Sequence, residues 1–471
     1  MQKIVVVFLC TIGLCVLPGA RLLAQQLLGI RNSNYAGIQG ALLNPSSIAD
    51  SKLKYDINVL SVDEVFANNF LYAPKSSLSF FGIKKIIDGA IHETIFGTRY
   101  DPQNPNKLYN VSFSTEFLGP SFFIKVKKKH VIGFTMAARA YGNIKDITGN
   151  AAQNAFNYLL GPSLWNMGLQ DHSARVNTMG WLQYGLHYAT TIYSDSRNEL
   201  NAGVSINYLQ GLGAAYVKNT NLNYQIGDTT HILFTNSSVD YGRTAIDDFR
   251  NAHDITHGHG FGADIGFTYV HFSDPDKTNY LYKLGLSLLD IGSIKFSKNT
   301  GSYHLQATAA DFANWHQAKF ADNTQLDQTL SAVFYNGDSS KSKTGSDFHM
   351  AMPTALSVQF DCNLYENFFA NATIVKGFGH GNNVGVVRPD VYSLTPRYET
   401  KWWEVSVPLS LLYYNHWQPR VGLAVRAGYF FIGGDAPGAL LKLNDLNGVD
   451  FYAGIHYFVP EKSKTGHTSV Q

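Results

Sequence analysis

Residues 260–291 admit few folds. Phe261, Ala263, Ile265, Phe267 and Tyr269 alternate with Gly262, Asp264, Gly266 and Thr268. After Ser273-Asp-Pro-Asp276, Tyr280, Tyr282, Leu284, Leu286 and Leu288 alternate with Lys283, Gly285 and Ser287. Side chains on a strand alternate between faces. The stretch therefore reads as an antiparallel hairpin of two long strands, apolar on one face and small or polar on the other. That apolar face has to meet either a second sheet or lipid.

The pattern recurs. Val111, Phe113 and Phe117 alternate with Ser112, Ser114 and Glu116; Leu182 to Tyr188 and Leu200 to Tyr208 form another hairpin about Ser194-Asp-Ser-Arg197. Leu356 to Cys362, Phe368 to Ile374, Val405 to Tyr413, Val421 to Tyr429 and Phe451 to Val459 continue it, and Val217 to Val239 reads as a more polar hairpin. The total is about fourteen strands, many longer than the five or six residues usual in soluble sheets. A strand tilted through a bilayer needs roughly 9–11 residues. Tight turns at 194–197 and 273–279 contrast with a polar insertion at 297–350, and Trp402, Trp403, Tyr413, Trp417 and Tyr457 sit at strand ends, as in an interfacial girdle. The expected fold is all-β: a single transmembrane antiparallel β-barrel with long extracellular loops. A large secreted sandwich or propeller with an aromatic core is the alternative. Short helices are expected near Lys84–Asp88, Asn150–Leu160 and Ala307–Ala318, a loop over Gly377–Thr400, and a bulge at Pro408, which lacks a ladder donor.

Residues 1–24 read as a secretory signal, with Lys3, an apolar run from Ile4 to Leu17, and Leu22-Leu-Ala24 before Gln25. Without Lys3 and Arg21 the 37 basic residues become 35, equal to the 35 acidic ones, and no basic stripe suggests nucleic acid. Cys10 and Cys15 lie in the leader, so Cys362 alone cannot build a disulfide framework or a cysteine zinc site. It falls in the lipid-facing register and reads as a small apolar residue. Residues 53–460 are assigned to the barrel and 461–471 to a polar tail.

Leu43-Asn-Pro-Ser-Ser-Ile-Ala-Asp50 resembles the Asn-Pro-Ala segment of FadL-like outer-membrane transporters of hydrophobic compounds. Gly260 to Gly266 and Tyr282 to Gly292 resemble a group of uncharacterised outer-membrane barrels found alongside the PorV and PorP/SprF-like barrels of type IX secretion. The resemblance implies a 14-stranded barrel in a bacterial outer membrane, with residues 25–52 as a plug, or hatch, and Asn44 and Pro45 at its turn. It implies transport or binding of a hydrophobic small molecule, with an apolar pocket between hatch and wall and a lateral opening near Pro408. The competing expectation is an assembly barrel that holds a secretion-system or surface protein through its loops.

No catalytic set is visible. There is no Walker loop, nucleophile elbow or His-Glu-x-x-His; His92-Glu93 lacks a second histidine. His253-Asp-Ile-Thr-His-Gly-His259 reads as a polar loop leading into a strand in preference to a metal site. Neither enzyme activity, a cofactor nor a metal is expected. The informative residues are the charges that alternation places on the lumenal face: Glu116, Arg139, Glu199, Asp264, Lys283, Asp361, Glu404, Arg420, Arg426 and Asp450. A selective pore would show one sign. Mixed signs read as an ion-pair lattice bracing barrel and plug, because unpaired buried charge is costly; a polar conduction path is the other reading.

Overall fold

The computed structural model describes residues 27–74, 97–127, 129–156, 165–228, 230–245, 255–277, 279–315, 318, 320, 322–381, 383–413, 417–434 and 445–461. The expected leader, the helix expected at 84–88, His92, His253 and the tail beyond 461 lie outside the described residues.

Fourteen strands form the wall, each antiparallel to its neighbours. In order they are β1 (Leu53–Asn68), β2 (Leu108–Leu118 and Ser121–Lys127), β3 (His130–Thr148), β4 (Arg175–Ser194) and β5 (Asn198–Ile226). Next come β6 (Gly258–Phe272), β7 (Tyr280–Phe296), β8 (Phe348–Ala351 and Ala355–Tyr365), β9 (Phe368–Gly377) and β10 (Asp390–Glu399). The wall ends with β11 (Trp403–Ser406 and Leu409–Tyr413), β12 (Trp417–Val421 and Leu423–Ala427), β13 (Phe430–Gly434) and β14 (Gly448–Pro460). β14 pairs with β1 from Leu53↔Pro460 to Ala67↔Gly448, and this closes the ring.

The wall is apolar outside and polar inside. Leu186, Ile206 and Phe261 are 67%, 61% and 70% exposed, whereas Asn58, Ser205, Glu404 and Arg426 are fully buried. A closed sheet satisfies its backbone groups without water, and an apolar belt of this extent is stable against hydrocarbon. The chain is a transmembrane barrel, and the apolar face of the β6–β7 hairpin meets lipid.

The ends of the barrel differ. One end carries tight turns, such as that between β4 and β5. There Asp195 accepts from the side chain of Asn198 (3.0 Å), from the backbone of Arg197 (2.8 Å) and Asn198 (2.7 Å), and from Tyr193 Oη (2.8 Å). These bonds hold its carboxyl well below the usual carboxylate range. The other end carries the long connections. β5 has 29 residues, roughly three times what a bilayer crossing needs. Its second half leaves the wall and pairs with residues 231–244, which pair with 300–313, which in turn pair with 343–345. The polar 217–239 hairpin is therefore real, but it belongs to a projecting sheet.

The helix expected at 307–318 is a strand through Ala313, because 231–244 offers it a ladder; the helix in this insertion is Asn323–Phe334. Its Asp322 side chain caps the Gln325 amide (2.8 Å), and its Phe334 packs on Phe234 with ring centroids 5.0 Å apart. Of the helix expected at 150–160, Gly149–Phe156 is present. The expected loop at 377–400 contains β10. At Pro408 the ladder breaks, while inward and outward positions keep alternating on either side.

Phe296 and Phe348 are cross-strand partners, so the whole 298–346 excursion begins and ends at adjacent points of the wall. Replacing it with a tight hairpin turn should leave an intact barrel, seen as unchanged heat-modifiable gel migration. Loss of that behaviour would show that the projecting sheet supports the wall.

Candidate functional site

The site is the meeting of residues 27–51 with the inner wall. The segment has no period because it follows no sheet; it consists of short turns at Leu28–Arg31, Gly37–Leu42 and Ser47–Asp50. Its apolar side chains fill three niches, the first where Ile38, Ala41 and Ile48 pack with Leu118, Phe123, Val131, Ala189 and Phe458. Leu27 and Ile30 pack with Ala424, Phe431 and Tyr452, and Leu28 and Leu43 pack with Val375, Val391 and Leu412. Its polar groups bond to strands around much of the ring.

Asn44-Pro45-Ser46 makes the closest approach. Asn44 Oδ1 accepts from the Ser46 amide (3.0 Å) and hydroxyl (2.7 Å), which fixes the turn. Asn44 Nδ2 donates to the Phe267 carbonyl (3.1 Å) and to Gln359 Oε1 (3.0 Å), and Ser287 Oγ donates to the Leu43 carbonyl (2.7 Å). Glycines floor this seat. Gly203 and Gly266 are cross-strand partners, and Gly285 lies on the next strand. A Cβ at Gly203 would stand 2.4 Å from the Pro45 carbonyl carbon and the Ser46 nitrogen, and one at Gly266 2.1 Å from Asn44 Oδ1. The alternating glycines of the sequence are thus the trough in which this turn lies.

A charge lattice makes the second set of contacts. Arg31 reaches Glu116 (2.5 Å) and Asp63 (3.8 Å); Arg139 reaches the other Glu116 oxygen (3.3 Å) and clasps Asp290 (2.6 and 2.9 Å). Arg388 joins Asp290 at 2.5 Å. Asp264 accepts from the Asp290 amide (2.7 Å) and from Asn207 (2.9 Å). Elsewhere Arg397 clasps Asp361 (2.7 and 2.9 Å) and bonds Glu399 (2.9 Å), which accepts from the Asn34 side chain (2.8 Å) and amide (3.0 Å). Glu404 takes Arg426 (3.1 Å) and Ser33 Oγ (2.7 Å). Lys283 donates to Asp50 (2.5 Å) and Asn34 Oδ1 (2.6 Å).

Of the sequence candidates, Asn44 bonds the wall from within the segment, Glu116, Lys283 and Glu404 bond the segment from the wall, and Pro45 packs on the glycine floor. Arg139 stands one contact behind, through Glu116; Arg426 lies over the Tyr35 ring, 5.0 Å from its centroid, and Asp264 is held within the wall by Asp290 and Asn207. Arg420 is buried in the wall near Gly448, where a Cβ would approach its guanidinium to 2.6 Å. Glu199 sits at the turn end, bridged to Lys277 at 2.8 Å. Asp264 and Lys283 do not pair: the register Val270↔Lys283 sets them apart along the strands, and each has other partners. Sequence reasoning missed Arg31, Asp50, Asp63, Asp290, Arg388, Arg397 and Glu399. The alternation of Tyr392, Leu394 and Tyr398 with Ser393, Thr395, Arg397 and Glu399 was the available signal for the last two.

The cavity between segment and wall is about 80 Å³. Its lining includes Arg31, Asn34, Asp50, Lys283, Asp361 and Asn371, so the expected apolar pocket is polar instead. An apolar layer that residues 27–51 do not enter lies at the loop end. Tyr141, Met179, Trp181, Leu209, Ile294, Phe296 and Met350 face inward there, with Val386 of the 378–389 connection folded against them. His257 bonds the Lys298 carbonyl (2.9 Å) and His259 the Tyr208 hydroxyl (2.6 Å). No group of three metal-ligating side chains occurs among the described residues.

A family model covering residues 45–435, a family of unknown function designated DUF5723, matches this sequence. The chain belongs to the DUF5723 family. No curated protein matches it. Among solved structures, the DUF5723 chain is similar to a TodX monoaromatic hydrocarbon channel mutant lacking S2 and S3, with TM-score 0.46, 9% identity, and 91% of this chain and 95% of that one covered. It is also similar to the toluene transporter TodX of Pseudomonas putida (0.33, 9%, 92% and 96%) and to a FadL homologue of Pseudomonas aeruginosa (0.37, 9%, 89% and 91%). Barrel closure in the DUF5723 chain rests on its own strand pairing.

Two outcomes follow for the segment's seat. Gly203→Val should cost about 1–3 kcal/mol by overpacking against Pro45, read as a shift in denaturant midpoint. Gly168→Val, where nothing lies within 4 Å, should leave the midpoint in place. Exchanging the charges of Lys283 and Asp50 together should recover stability that either single reversal loses, of about 3–5 kcal/mol for a broken buried pair; exchanging Lys283 with Asp264 should recover none.

Proposed function

We propose that this DUF5723 chain is a bacterial outer-membrane barrel that takes a hydrophobic or amphipathic small molecule at its loop end, with residues 25–52 as a plug. In this reading residues 1–24 are the export signal. The tight turns face the periplasm and the long connections face outside, the usual asymmetry of such barrels. One observation carries the reading. The inward-facing layer of Met179, Trp181, Phe296, Met350 and their neighbours is an apolar cluster that residues 27–51 do not enter. A water-filled porin has no use for such a layer, and methionine and aromatic side chains adapt to varied apolar shapes. The plug's bed combines hydrogen bonds and ion pairs with apolar packing, so passage would require the segment to shift off its seat. The neighbours' titles name hydrocarbon and toluene transport for those proteins; the lumenal layer is what supports it here.

The projecting sheet favours a second reading, an assembly barrel that binds a secretion-system or surface protein without catalysing a reaction. The sheet extends well beyond what a bilayer crossing needs and carries its own helix. Under that reading a 298–346 deletion loses a cross-linked partner while still folding.

The transport reading expects detergent-purified protein to bind N-phenyl-1-naphthylamine with fluorescence transfer from tryptophan, and Met350→Lys to weaken binding by about tenfold or more, the effect of an unpaired charge in an apolar layer. If neither this probe nor any extracted apolar compound binds the wild type, the reading fails.

A further inference from the structure

The outer surface has one feature the transport reading does not use. Between β1, β14, β13 and β12 lies a concavity of about 430 Å³ whose lining includes Leu60, Val62, Val425, Phe430, Ile432 and Ile455. Its cause is local. β1 bulges between Asn58 and Leu60, so Val59 and Leu60 both face outward and are 51% and 54% exposed. Phe430 and Ile432 stand out as the opposite bank, 59% and 54% exposed. Between the banks the floor is Ala427, Ala453 and Gly454. Gly454 has to be glycine, since a Cβ there would meet the Phe431 ring at 2.3 Å and Ser61 Cβ at 2.6 Å.

The groove has a direction. Ala427 and Phe430 flank the turn Gly428-Tyr429, so one end lies at the turn end of the barrel. From there the rows Phe430↔Ile455 and Ile432↔Ala453 carry it toward the middle of the wall. Aromatic rings crowd the turn-end mouth: Tyr429 and Tyr457 have centroids 5.0 Å apart, Trp402 and Tyr429 5.7 Å, and Tyr55 and Tyr457 6.3 Å. Lys401 Nζ lies 5.5 Å from the centroid of Trp402. Aromatic rings with polar edges and a cation mark the headgroup level of a bilayer.

We infer that this groove is a binding site for one phospholipid of the turn-side leaflet, its acyl chain lying between the Leu60 and Phe430 banks and its phosphate at the Lys401, Tyr429 and Tyr457 rim. The occupant follows from position and chemistry. The groove opens only onto hydrocarbon, its lining is aliphatic and aromatic, and its volume falls in the range of sites that enclose a small molecule. The rim lies at the turn end, so a lipid of the loop-side leaflet would place its headgroup at the wrong end of the groove. The inference rests on the membrane-barrel reading and is independent of what passes through the lumen.

The test uses the full-length protein, reconstituted with phosphatidylethanolamine and phosphatidylglycerol, extracted in mild detergent and weighed by native mass spectrometry. The wild type should retain one phospholipid per barrel. Ala453→Phe fills the groove from the lipid side and should lower that occupancy by about tenfold, the effect expected of overpacking a filled site. Ala202→Phe, equally outward-facing on β5 beside Phe267, should retain the lipid. All three should keep heat-modifiable migration, which separates loss of the site from loss of the barrel. Equal lipid retention in Ala453→Phe and wild type, retention of lipopolysaccharide in place of phospholipid, or a dimer that Ala453→Phe disrupts would each overturn the assignment.

Discussion

A sheet in hydrocarbon has no water to satisfy an unpaired edge, and the pairing of Leu53 with Pro460 removes the last edge. The rest of the molecule follows from that closure. With the backbone satisfied around the ring, alternation sends one set of side chains to lipid and the other to the lumen. Lumenal groups then need partners of their own. Arg139, Asp290 and Arg388 find them within the wall and its inward-folded 378–389 connection, but Glu116, Asp361, Glu399 and Glu404 lie where residues 27–51 complete or extend their bonding. Arg31 illustrates the dependence, since it contributes the cation that Asp63 and one oxygen of Glu116 face.

The seat of Asn44-Pro45-Ser46 depends on absence of side chains as much as on their presence. Three strands bring glycine to one level, and the turn approaches the backbone closely enough for Asn44 to donate to a main-chain carbonyl. The apolar contacts of Leu27, Leu28 and Ile30 supply burial at the other end of the segment. Polar bonds set its register, because each aligns a particular residue with a particular strand.

Strand character and facing were legible wherever both faces were chemically distinct. Asp264, Lys283, Glu116 and Arg426 could be placed inward from alternation alone. Partnering was not legible: Lys283 stands opposite Val270, well along β6 from Asp264, and alternation gives facing but not register. β10 lies inside the stretch expected as a loop, Gly377–Thr400; its Pro396 faces the break at Val407-Pro408, where no ladder donor is required. Residues 307–313 have no strand pattern of their own, and their conformation is set by the neighbouring ladder. Arg31 and Asp50 lie in an aperiodic segment, where only the Asn-Pro pair announced anything.

The Leu53↔Pro460 pairing also bears on how the molecule comes to exist. The seam joins strands about four hundred positions apart in the chain, so the ring cannot shut until its final strand has been made. Residues 27–51 run directly into β1, on one side of that seam. They bond to strands from both halves of the wall, among them β2, β6, β10 and β11. Closing the seam is therefore also the act that encloses the segment, and the order of events during insertion decides whether the lumen is born filled or empty.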